Sequence, residues 1–455
     1  MKYDVIVAGG GISGAIAGIA AARLGVKTLI IEQYGFLGGM LTAGGVGPMM
    51  TFHAGETQVV QGITGELIER MKQKGKSTGH LFDTTGYTYT VTPFDAEGMK
   101  HELEIMFLEA GGELLYHAML GKVVTDSQGI KEVEVITKNG FLTLSAEVYV
   151  DATGDAELAF RAGVPCKKGR EEDNACQPMT MNMKMSGVDI PKVREFIKDE
   201  KNIENFSRIK EDTGIVDRSE RLSIGGFEKI YARAYETGEV SFKRGEVLFF
   251  ETNNPGEVII NTSRIPFPDP TDPVALSNAE VEGRKQVREL EKFIKEKIPG
   301  FERAVLIYSG PCQVGVRSSR QIEGLTVLTE QDLVSMRTFP DAIAHGGYPI
   351  DIHPPAGGYS KGFDFKKLKL PYGGIYSIPL GALVNRYVAN LVTVGRCIST
   401  SFVAQGAIRV SPIAGAIGHG GGVAAGLSVI DKLKPGDLAF HRVRETLKDQ
   451  GAFLL

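Results

Sequence analysis

The chain has 455 residues, a net charge of −4 at pH 7 and 42% hydrophobic residues, which is enough for two or three domains with buried cores. This charge balance predicts no nucleic-acid partner, because nucleic-acid binding needs a basic face. The four cysteines are scattered without a C-x-x-C pair, which predicts no metal or iron–sulfur site and no disulfide framework. A reducing, cytoplasmic location fits this cysteine usage.

The N-terminal segment contains a glycine-rich turn between an apolar strand and an alanine-rich helix. Residues 3–8 are the predicted strand, residues 9–14 read Gly-Gly-Gly-Ile-Ser-Gly, and a second apolar strand, 28–31, ends at Glu32. Strand, G-x-G-x-x-G, helix, strand and an acid about 20 residues beyond the turn form the dinucleotide-binding fingerprint in its required context. We therefore predict a Rossmann-like α/β domain at this end of the chain.

Each position of this turn has a physical role. Gly9 permits the tight turn, Gly11 lets a pyrophosphate approach the backbone, and Gly14 lets helix and strand pack closely. The free N–H groups and the dipole at the helix N-terminus hold the phosphates. Glu32 is placed to accept hydrogen bonds from a ribose.

The next elements follow from periodicity. Apolar residues at helical spacing predict helices over 63–75 and 95–111. Strands 131–138 and 141–150 flank residues 139–140, an Asn-Gly pair that is a strong hairpin signal. Further along, Met179, Met181, Met183 and Met185 alternate as one face of a strand; packing is their expected role, and a cofactor-facing role is the alternative.

Residues 410–430 carry no fixed charge and are long enough to cross a bilayer. They contain small residues four apart, Gly418, Gly422 and Gly426. The stretch is rich in Gly and Ala but poor in Leu and Phe, which suits close packing inside a protein. We predict a buried helix with His419 as a core histidine, and no membrane partner.

Several motifs together, spread over nearly the whole chain, resemble the FAD-dependent oxidoreductases of the glutathione-reductase-like superfamily. Related proteins are the flavoprotein subunit of heterodisulfide reductase and the fumarate-reductase-type flavoproteins. The resemblance implies FAD as the cofactor but is specific for no substrate. The matching segments are residues 9–14 with Gly18, Glu32 with 38–39, 151–155, 261–264, 315–320 with Gly324, 376–379 and 390–399.

The resemblance also implies roles for single positions. Residues 152–154 form a small-residue strand end close to the dinucleotide, and Leu120 gives a backbone contact to adenine. A helix with Ser411 as its N-cap points at the pyrimidine edge of the flavin, where its dipole stabilises the anionic reduced ring. The implied cofactor residues are Gly9, Gly11, Ser13, Gly14, Glu32, Gly38, Gly39, Met40, Leu120, Ala152, Thr153, Gly154, Gly395, Arg396, Ala407, Arg409 and Ser411.

The chain also departs from its relatives. Residues 418–422 read Gly-His-Gly-Gly-Gly where the family has Gly-Ala-Ala-Gly. Flavin monooxygenases have Gly-Asp where this chain has Gly395-Arg396, which disfavours a monooxygenase. The cysteines do not supply the iron–sulfur ligands of the heterodisulfide-reductase relatives.

Arginines are the expected substrate anchors, because a guanidinium binds a carboxylate bidentately. The candidates are Arg264, Arg317 and Arg320, and structural pairing between domains is the alternative for each. For acid–base work the candidates are His53, His353 and Tyr372. A surface or structural role is the alternative for each histidine, and His53 is also the candidate for a covalent link to the flavin.

These features predict an FAD-dependent dehydrogenase or reductase that transfers a hydride between flavin N5 and a small organic substrate bearing a carboxylate or hydroxyl. Its partners are that substrate and an electron acceptor of unspecified class. One alternative is a flavoprotein without its own redox turnover, either thiazole-synthase-like or an electron-transfer subunit. Another is an NAD-binding protein with the same fingerprint, against which residues 395–429 argue.

The predicted architecture is a discontinuous, Rossmann-like FAD-binding domain of α/β type with an inserted cap. The cap is expected to be a mixed β-sheet with flanking helices that binds substrate. The FAD-binding domain comprises residues 1–45, 95–174 and 375–440, the cap 46–94 and 175–374, and a C-terminal tail 441–455.

Overall fold

The computed structural model describes residues 1–266, 269–355 and 368–455; residues 267–268 and 356–367 of the predicted cap lie outside this description. The strands are, in chain order, β1 (Lys2–Ala8), β2 (Thr28–Ile31), β3 (His53–Ala54), β4 (Thr57–Gln58), β5 (Leu81–Phe82), β6 (Thr90–Val91), β7 (Glu113–Leu115), β8 (Met119–Asp126), β9 (Gly129–Thr137), β10 (Gly140–Asp151), β11 (Cys166–Lys168), β12 (Met183–Ser186), β13 (Ser223–Gly226), β14 (Val247–Glu251), β15 (Val258–Ile260), β16 (Val305–Ser309), β17 (Arg320–Ile322), β18 (Ala342–Gly346), β19 (Tyr376–Pro379) and β20 (Leu391–Thr393).

The α-helices are, in chain order, α1 (Ile12–Ala22), α2 (Gly62–Gln73), α3 (Ala96–Glu109), α4 (Glu157–Arg161), α5 (Ile190–Lys198), α6 (Glu228–Glu236), α7 (Pro273–Lys297), α8 (Glu330–Val334), α9 (Phe402–Ile408), α10 (Ser411–Asp431) and α11 (Phe440–Asp449).

A parallel sheet forms the centre of the first part of the molecule, with strand order β7-β2-β1-β10-β20. The first half of β10 continues into an antiparallel meander with β9 and β8, joined through the predicted hairpin. The inner strand β1 is apolar and almost wholly buried, as a strand covered on both faces must be. The predicted α/β fold class is therefore confirmed.

Helices α1 and α10 cross one face of this sheet in close contact. A Cβ at Gly418 would lie 2.2 Å from the carbonyl oxygen of Ser13, and one at Gly422 would lie 2.2 Å from that of Ala17. Helix α10 is long and apolar enough to cross a membrane, but it is mostly buried within the fold. The prediction of a buried, closely packed helix for this stretch is confirmed.

A second sheet is antiparallel, with strand order β13-β14-β15-β12-β16. Helices α5, α6 and α7 contribute apolar side chains to its core. We call this unit, residues 179–266 and 269–314, the cap. All four methionines of the predicted alternation are buried in its core, which confirms their packing role. The sheet is antiparallel throughout rather than mixed.

Two segments differ from the predicted domain assignment. Helix α2, in the segment 46–94 predicted to belong to the cap, packs in the core that contains α1, α3 and α10, because its apolar stripe includes Ile63, Leu67 and Met71. Residues 441–455, predicted as a tail, contain most of α11, whose Val443 and Leu447 are buried in the same core.

His419 is a buried core residue, as predicted, and its Nε2 lies 2.8 Å from Oε1 of Gln450. Burial lowers its pKa to about 4, although the bond to Gln450 opposes this shift. The unfolded chain, with an ordinary histidine, therefore binds more protons than the folded chain below about pH 6.5. Stability from the neutral ring is complete above that pH and falls as the pH drops toward 4.

We expect His419→Gln to reduce the acid sensitivity of the fold. The substitution removes a penalty of about 2 kcal/mol at pH 5, so the melting temperature of the variant should fall less between pH 7 and pH 5 than that of the wild type. His441→Gln, at an exposed position, is the control and should match the wild type. Equal falls for all three proteins would contradict the assignment.

Candidate cofactor and substrate cavity

A cavity of about 520 Å³ lies between the parallel sheet and the cap. On one side its wall consists of the carboxyl ends of β1, β2 and β10 and the N-termini of α1 and α10. On the other side the cap contributes Thr180, Asn182, Leu248 and Asn261. Ligands of open α/β sheets bind outside the carboxyl ends of the strands, which makes this cavity the candidate functional site.

The glycine turn after β1 has the geometry that a dinucleotide needs. Gly9 has a φ of +99°, and a Cβ there would lie 2.6 Å from the carbonyl oxygen of Ala152. A Cβ at Gly14 would lie 1.9 Å from the carbonyl oxygen of Gly9. The nearest atom to a Cβ at Gly11 is 3.9 Å away, on Gly39. The turn is therefore closed against its own neighbours and open toward the cavity.

Two helix N-termini face the cavity. Gly11 precedes α1 and Val410 precedes α10, and neither has a side chain that can cap a helix. The N–H groups of the first turns therefore lack acceptors within their helices and can bind an anion. Ser411 is the first helical residue rather than the predicted N-cap, because the first helical bond runs from Ala414 N–H to the Val410 carbonyl.

The contact between α1 and α10 determines how far the N-terminus of each helix extends into the cavity. Gly418 lies opposite Ser13, at the start of α1. Ser411 lies seven residues before Gly418, or about 10 Å along the helix axis. The N-terminus of α10 therefore reaches further into the cavity than that of α1, so the wall offers two anion-binding ends at different depths.

Glu32 is the buried acid at the end of β2. It is 7% exposed; its Oε2 accepts a hydrogen bond from Gly10 N–H at 2.7 Å, and its Oε1 accepts one from Tyr34 N–H at 2.8 Å. Burial raises its pKa, whereas the backbone hydrogen bonds oppose this shift. The carboxyl group is thus held in one orientation in the cavity wall, beside the glycine turn.

Arg396 joins the C-terminal segment to the end of β10. Its guanidinium donates to Oδ1 of Asp155 at 2.7 Å and to the carbonyl oxygen of Val316 at 3.1 Å. The guanidinium also lies 3.2 Å from where a Cβ of Gly154 would be. Arg396 therefore combines a structural ion pair with a place in the cavity wall.

Most residues predicted to contact the cofactor lie together in the cavity wall. Two do not: Gly14 packs against the turn itself, and Ala407 is buried with its carbonyl oxygen accepting a hydrogen bond from Tyr376. The predicted residues in the wall are Gly9, Gly11, Ser13, Glu32, Gly38, Gly39, Met40, Leu120, Ala152, Thr153, Gly154, Gly395, Arg396, Arg409 and Ser411.

Four arginines line another part of the same cavity, and we call them the arginine cluster: Arg208, Arg244, Arg317 and Arg409. Arg317 donates to neutral acceptors, the carbonyl oxygen of Pro178 and Oγ1 of Thr180, both at 2.6 Å. Burial, together with Arg409 and Arg244, lowers the pKa of Arg317 to about 9, so the side chain still carries its charge at pH 7.

Asp351 and His353 lie beside the arginine cluster. Oδ2 of Asp351 is 3.2 Å from the Arg409 guanidinium, 3.3 Å from Nε2 of His353 and 3.4 Å from the hydroxyl of Tyr348. Burial raises the pKa of Asp351, but the hydrogen bond with His353 and the positive charges of Arg409 and Arg317 outweigh burial and lower it. Burial lowers the pKa of His353 to about 3. At pH 7 the pair is thus an ionised aspartate beside a neutral imidazole.

Of the predicted catalytic residues, the cavity wall brings together Arg317 and His353 but not His53, Arg264 or Tyr372. Nδ1 of His53 lies 2.9 Å from the hydroxyl of Thr90. Arg264 donates to the carbonyl oxygen of Pro354 at 2.5 Å. Tyr372 is 80% exposed. The candidate Arg320 also lies outside the wall, with its guanidinium over the ring of Phe160 at 4.3 Å. Each of these four side chains is directed to a structural partner or to solvent rather than into the cavity.

Sequence reasoning missed several residues of this region: Tyr87, Arg208, Arg244, Tyr348 and Asp351. They come from segments without a motif, and the arginines of the cap stand among many other charged residues. A usable signal was present only for Asp351, which is two residues before the candidate His353.

A family model matches almost the whole chain. The family model described as FAD dependent oxidoreductase matches residues 4–447. Among curated proteins, dihydrolipoyl dehydrogenase of Trypanosoma brucei brucei is 35% identical over 103 residues, 19% of this chain and 21% of that protein. Thiamine thiazole synthase of Methanococcus aeolicus is 28% identical over 169 residues, 35% of this chain and 58% of that protein. The chain thus spans less than two thirds of the length of either relative.

Solved structures show similarity along the whole chain at low identity. A geranylgeranyl bacteriochlorophyll reductase-like protein from Thermoplasma acidophilum has a TM-score of 0.48 and 13% identity, covering 99% of this chain and 84% of its own. L-proline dehydrogenase from P. horikoshii has a TM-score of 0.45 and 12% identity, and the match covers 100% of this chain and 99% of that protein.

We expect Gly14→Ala to abolish cofactor retention. A methyl group 1.9 Å from the Gly9 carbonyl oxygen forces the turn open, so bound flavin per protein should fall at least about tenfold, because the phosphate-binding N–H groups move. Gly65→Ala, in α2 with its nearest side-chain neighbour 3.7 Å away, is the matched control and should retain its flavin. Flavin content is read from the visible absorption spectrum, and full loading of the Gly14 variant would contradict the assignment.

Proposed function

The chain belongs to the FAD-dependent oxidoreductase family, and we propose that it is a dehydrogenase or reductase acting on a small organic carboxylate. FAD is its cofactor, and FAD supplies hydride transfer at flavin N5 when bound. The glycine turn and Glu32 support a finer placement in the glutathione-reductase-like superfamily, which is part of the proposal, as is a cytoplasmic location.

The observation that carries the proposal is the arginine cluster. Its side chains share one cavity with the glycine turn and the helix N-termini, so a substrate bound by the arginines lies in the same enclosed space as the cofactor residues. A guanidinium binds a carboxylate through two parallel hydrogen bonds, which fixes the orientation of the substrate as well as its position. Such positioning is the protein's main contribution to flavin chemistry.

His353 is the proposed proton acceptor. Its Nε2 faces Asp351, which leaves Nδ1 to accept a proton from a substrate hydroxyl or amine. The ionised Asp351 orients the ring and stabilises the imidazolium that forms. A bound carboxylate offsets Arg317 and Arg244, which lower the pKa of His353, so substrate binding makes the imidazole a stronger base.

The first test is anaerobic reduction of the purified holoprotein by a panel of hydroxy- and aminocarboxylates, followed by the visible absorption of the flavin. Bleaching of the flavin bands by a member of the panel supports the proposal. Protein that holds no FAD and takes none up would exclude it. Flavin that no organic donor reduces would favour the second candidate, a flavoprotein without its own redox turnover, which the partial match to thiamine thiazole synthase keeps open.

Arg317→Met is expected to weaken carboxylate binding by about 10- to 100-fold, because a charged hydrogen-bonded contact is worth roughly 1.5–3 kcal/mol. Arg317→Lys keeps the charge but not the bidentate geometry, so its carboxylate affinity should lie between that of the wild type and that of the Met variant. Dissociation constants are measured from the change in flavin absorbance on titration. Unchanged flavin content and melting temperature show that the variants remain folded, and wild-type affinity in the Met variant would contradict the role.

The pH dependence should distinguish free from substrate-bound enzyme. In the free protein the pKa of His353 is about 3, so the base is already deprotonated and kcat/KM should show no acid limb from it between pH 5 and 7. Because bound carboxylate raises this pKa, the acid limb of kcat should lie at higher pH than that of kcat/KM. An acid limb of kcat/KM near pH 6.5 that disappears in His353→Asn would show that the free histidine is not held neutral.

A further inference from the structure

The arginine cluster carries more positive charge than its surroundings neutralise. Arg208 donates to Oε1 of Glu246 at 2.7 Å, and Arg409 lies 3.2 Å from Oδ2 of Asp351. The other two arginines have no carboxylate within ion-pairing distance among the residues that the structure describes. The four arginines and the two carboxylates, Glu246 and Asp351, thus have a combined charge of +2.

These two arginines differ in their remaining contacts. Arg317 is held by the neutral oxygens of Pro178 and Thr180 and by Oδ1 of Asn261 at 3.3 Å. The buried Nε of Arg244 has no hydrogen-bond acceptor within residues 1–266, 269–355 and 368–455. The Arg244 side chain lines the cavity and donates no hydrogen bond to any other residue that the structure describes, so its terminal N–H groups are not occupied by a protein acceptor there.

A charged guanidinium in the cavity wall without a carboxylate partner costs free energy. Buried charges in proteins are normally paired, because burial without a partner forfeits hydration. Burial lowers the pKa of Arg244, and burial together with Arg409 and Arg244 lowers that of Arg317. The cavity is therefore complete only when it holds compensating negative charge.

We infer that the substrate carries two negative charges, either as two carboxylates or as a phosphate monoester, and that Arg244 and Arg317 bind them. That the bound dianion is a substrate rests on the proposed function. The binding of a dianion by these two arginines does not depend on it. A monocarboxylate would leave one of the two arginines uncompensated, so the site discriminates against it by charge as well as by shape.

The phosphates of FAD are the competing source of negative charge. The glycine turn and the helix N-terminus of α1 already offer N–H groups for them, whereas Arg208 and Arg244 belong to the cap. If the two unpaired arginines served the cofactor instead, their removal would lower FAD content. FAD content is therefore measured for every variant.

The experiment titrates the oxidised holoprotein with succinate, butyrate and inorganic phosphate, following flavin absorbance, or heat where absorbance does not change. Succinate should bind at least about tenfold more tightly than butyrate, since one more charged contact is worth roughly 1.5–3 kcal/mol. Arg244→Gln should weaken succinate binding about tenfold relative to the wild type. Its affinity for butyrate should stay within about threefold of the wild-type value. Tighter binding of phosphate than of succinate would support the dianion and assign it to the phosphate class.

Arg288→Gln is the control, because Arg288 lies on α7 with a side chain 75% exposed and its binding profile should equal that of the wild type. Arg244→Lys, which retains the charge, should restore most of the succinate affinity even if the Gln variant is poorly folded. Equal affinities of succinate and butyrate for the wild type would overturn the inference, as would loss of FAD from both Arg244 variants. Tight succinate binding without flavin reduction by any organic donor would instead reject hydride transfer and leave the dianion site standing.

Discussion

The close contact between α1 and α10 is the interaction on which the rest of the structure depends. Gly418 and Gly422 let the two helices approach until the backbone of one meets the backbone of the other, where any side chain would collide with a carbonyl oxygen. Because the helices run side by side, their uncapped N-termini open into one cavity. The glycine turn, the end of β10 and Arg396 are then arranged around these two ends.

The cavity uses two different kinds of electrostatics. Around the glycine turn, backbone N–H groups and helix dipoles supply partial charges that are fixed by the fold and need no side-chain ordering. Around the arginine cluster, full charges on long side chains are held in place by carbonyl oxygens, Glu246 and Asp351. Partial charges suit a permanently bound cofactor, whereas full charges discriminate between ligands that come and go.

The sequence predicts one of these two regions much better than the other. The glycine turn, Glu32 and α10 could be identified because local chemistry requires glycine, an acid or small residues at a fixed spacing. Tyr87, Arg244 and Asp351 meet only through tertiary folding, and no local pattern distinguishes them from other polar residues.

The differences between the predicted and the observed positions have a similar physical origin. His53 and Tyr372 were chosen because they stand near glycine-rich or proline-rich loops, yet one is bonded to Thr90 and the other is exposed to solvent. Nearness to a motif along the chain does not determine the direction of a side chain. Helix α2 was assigned to the cap for the same reason, since its place in the sequence gave no sign of its contact with α10.

The contact between α1 and α10 also has a consequence for biosynthesis. At translation rates of 5–20 residues per second, roughly 20–80 s separate the synthesis of Ala22 from that of Ser411. During that time the apolar α1 has emerged from the ribosome without the helix that covers it. The nascent chain therefore exposes this apolar surface until α10 has been made, and the cavity wall that needs both helix N-termini is complete only after residue 411 has been synthesised.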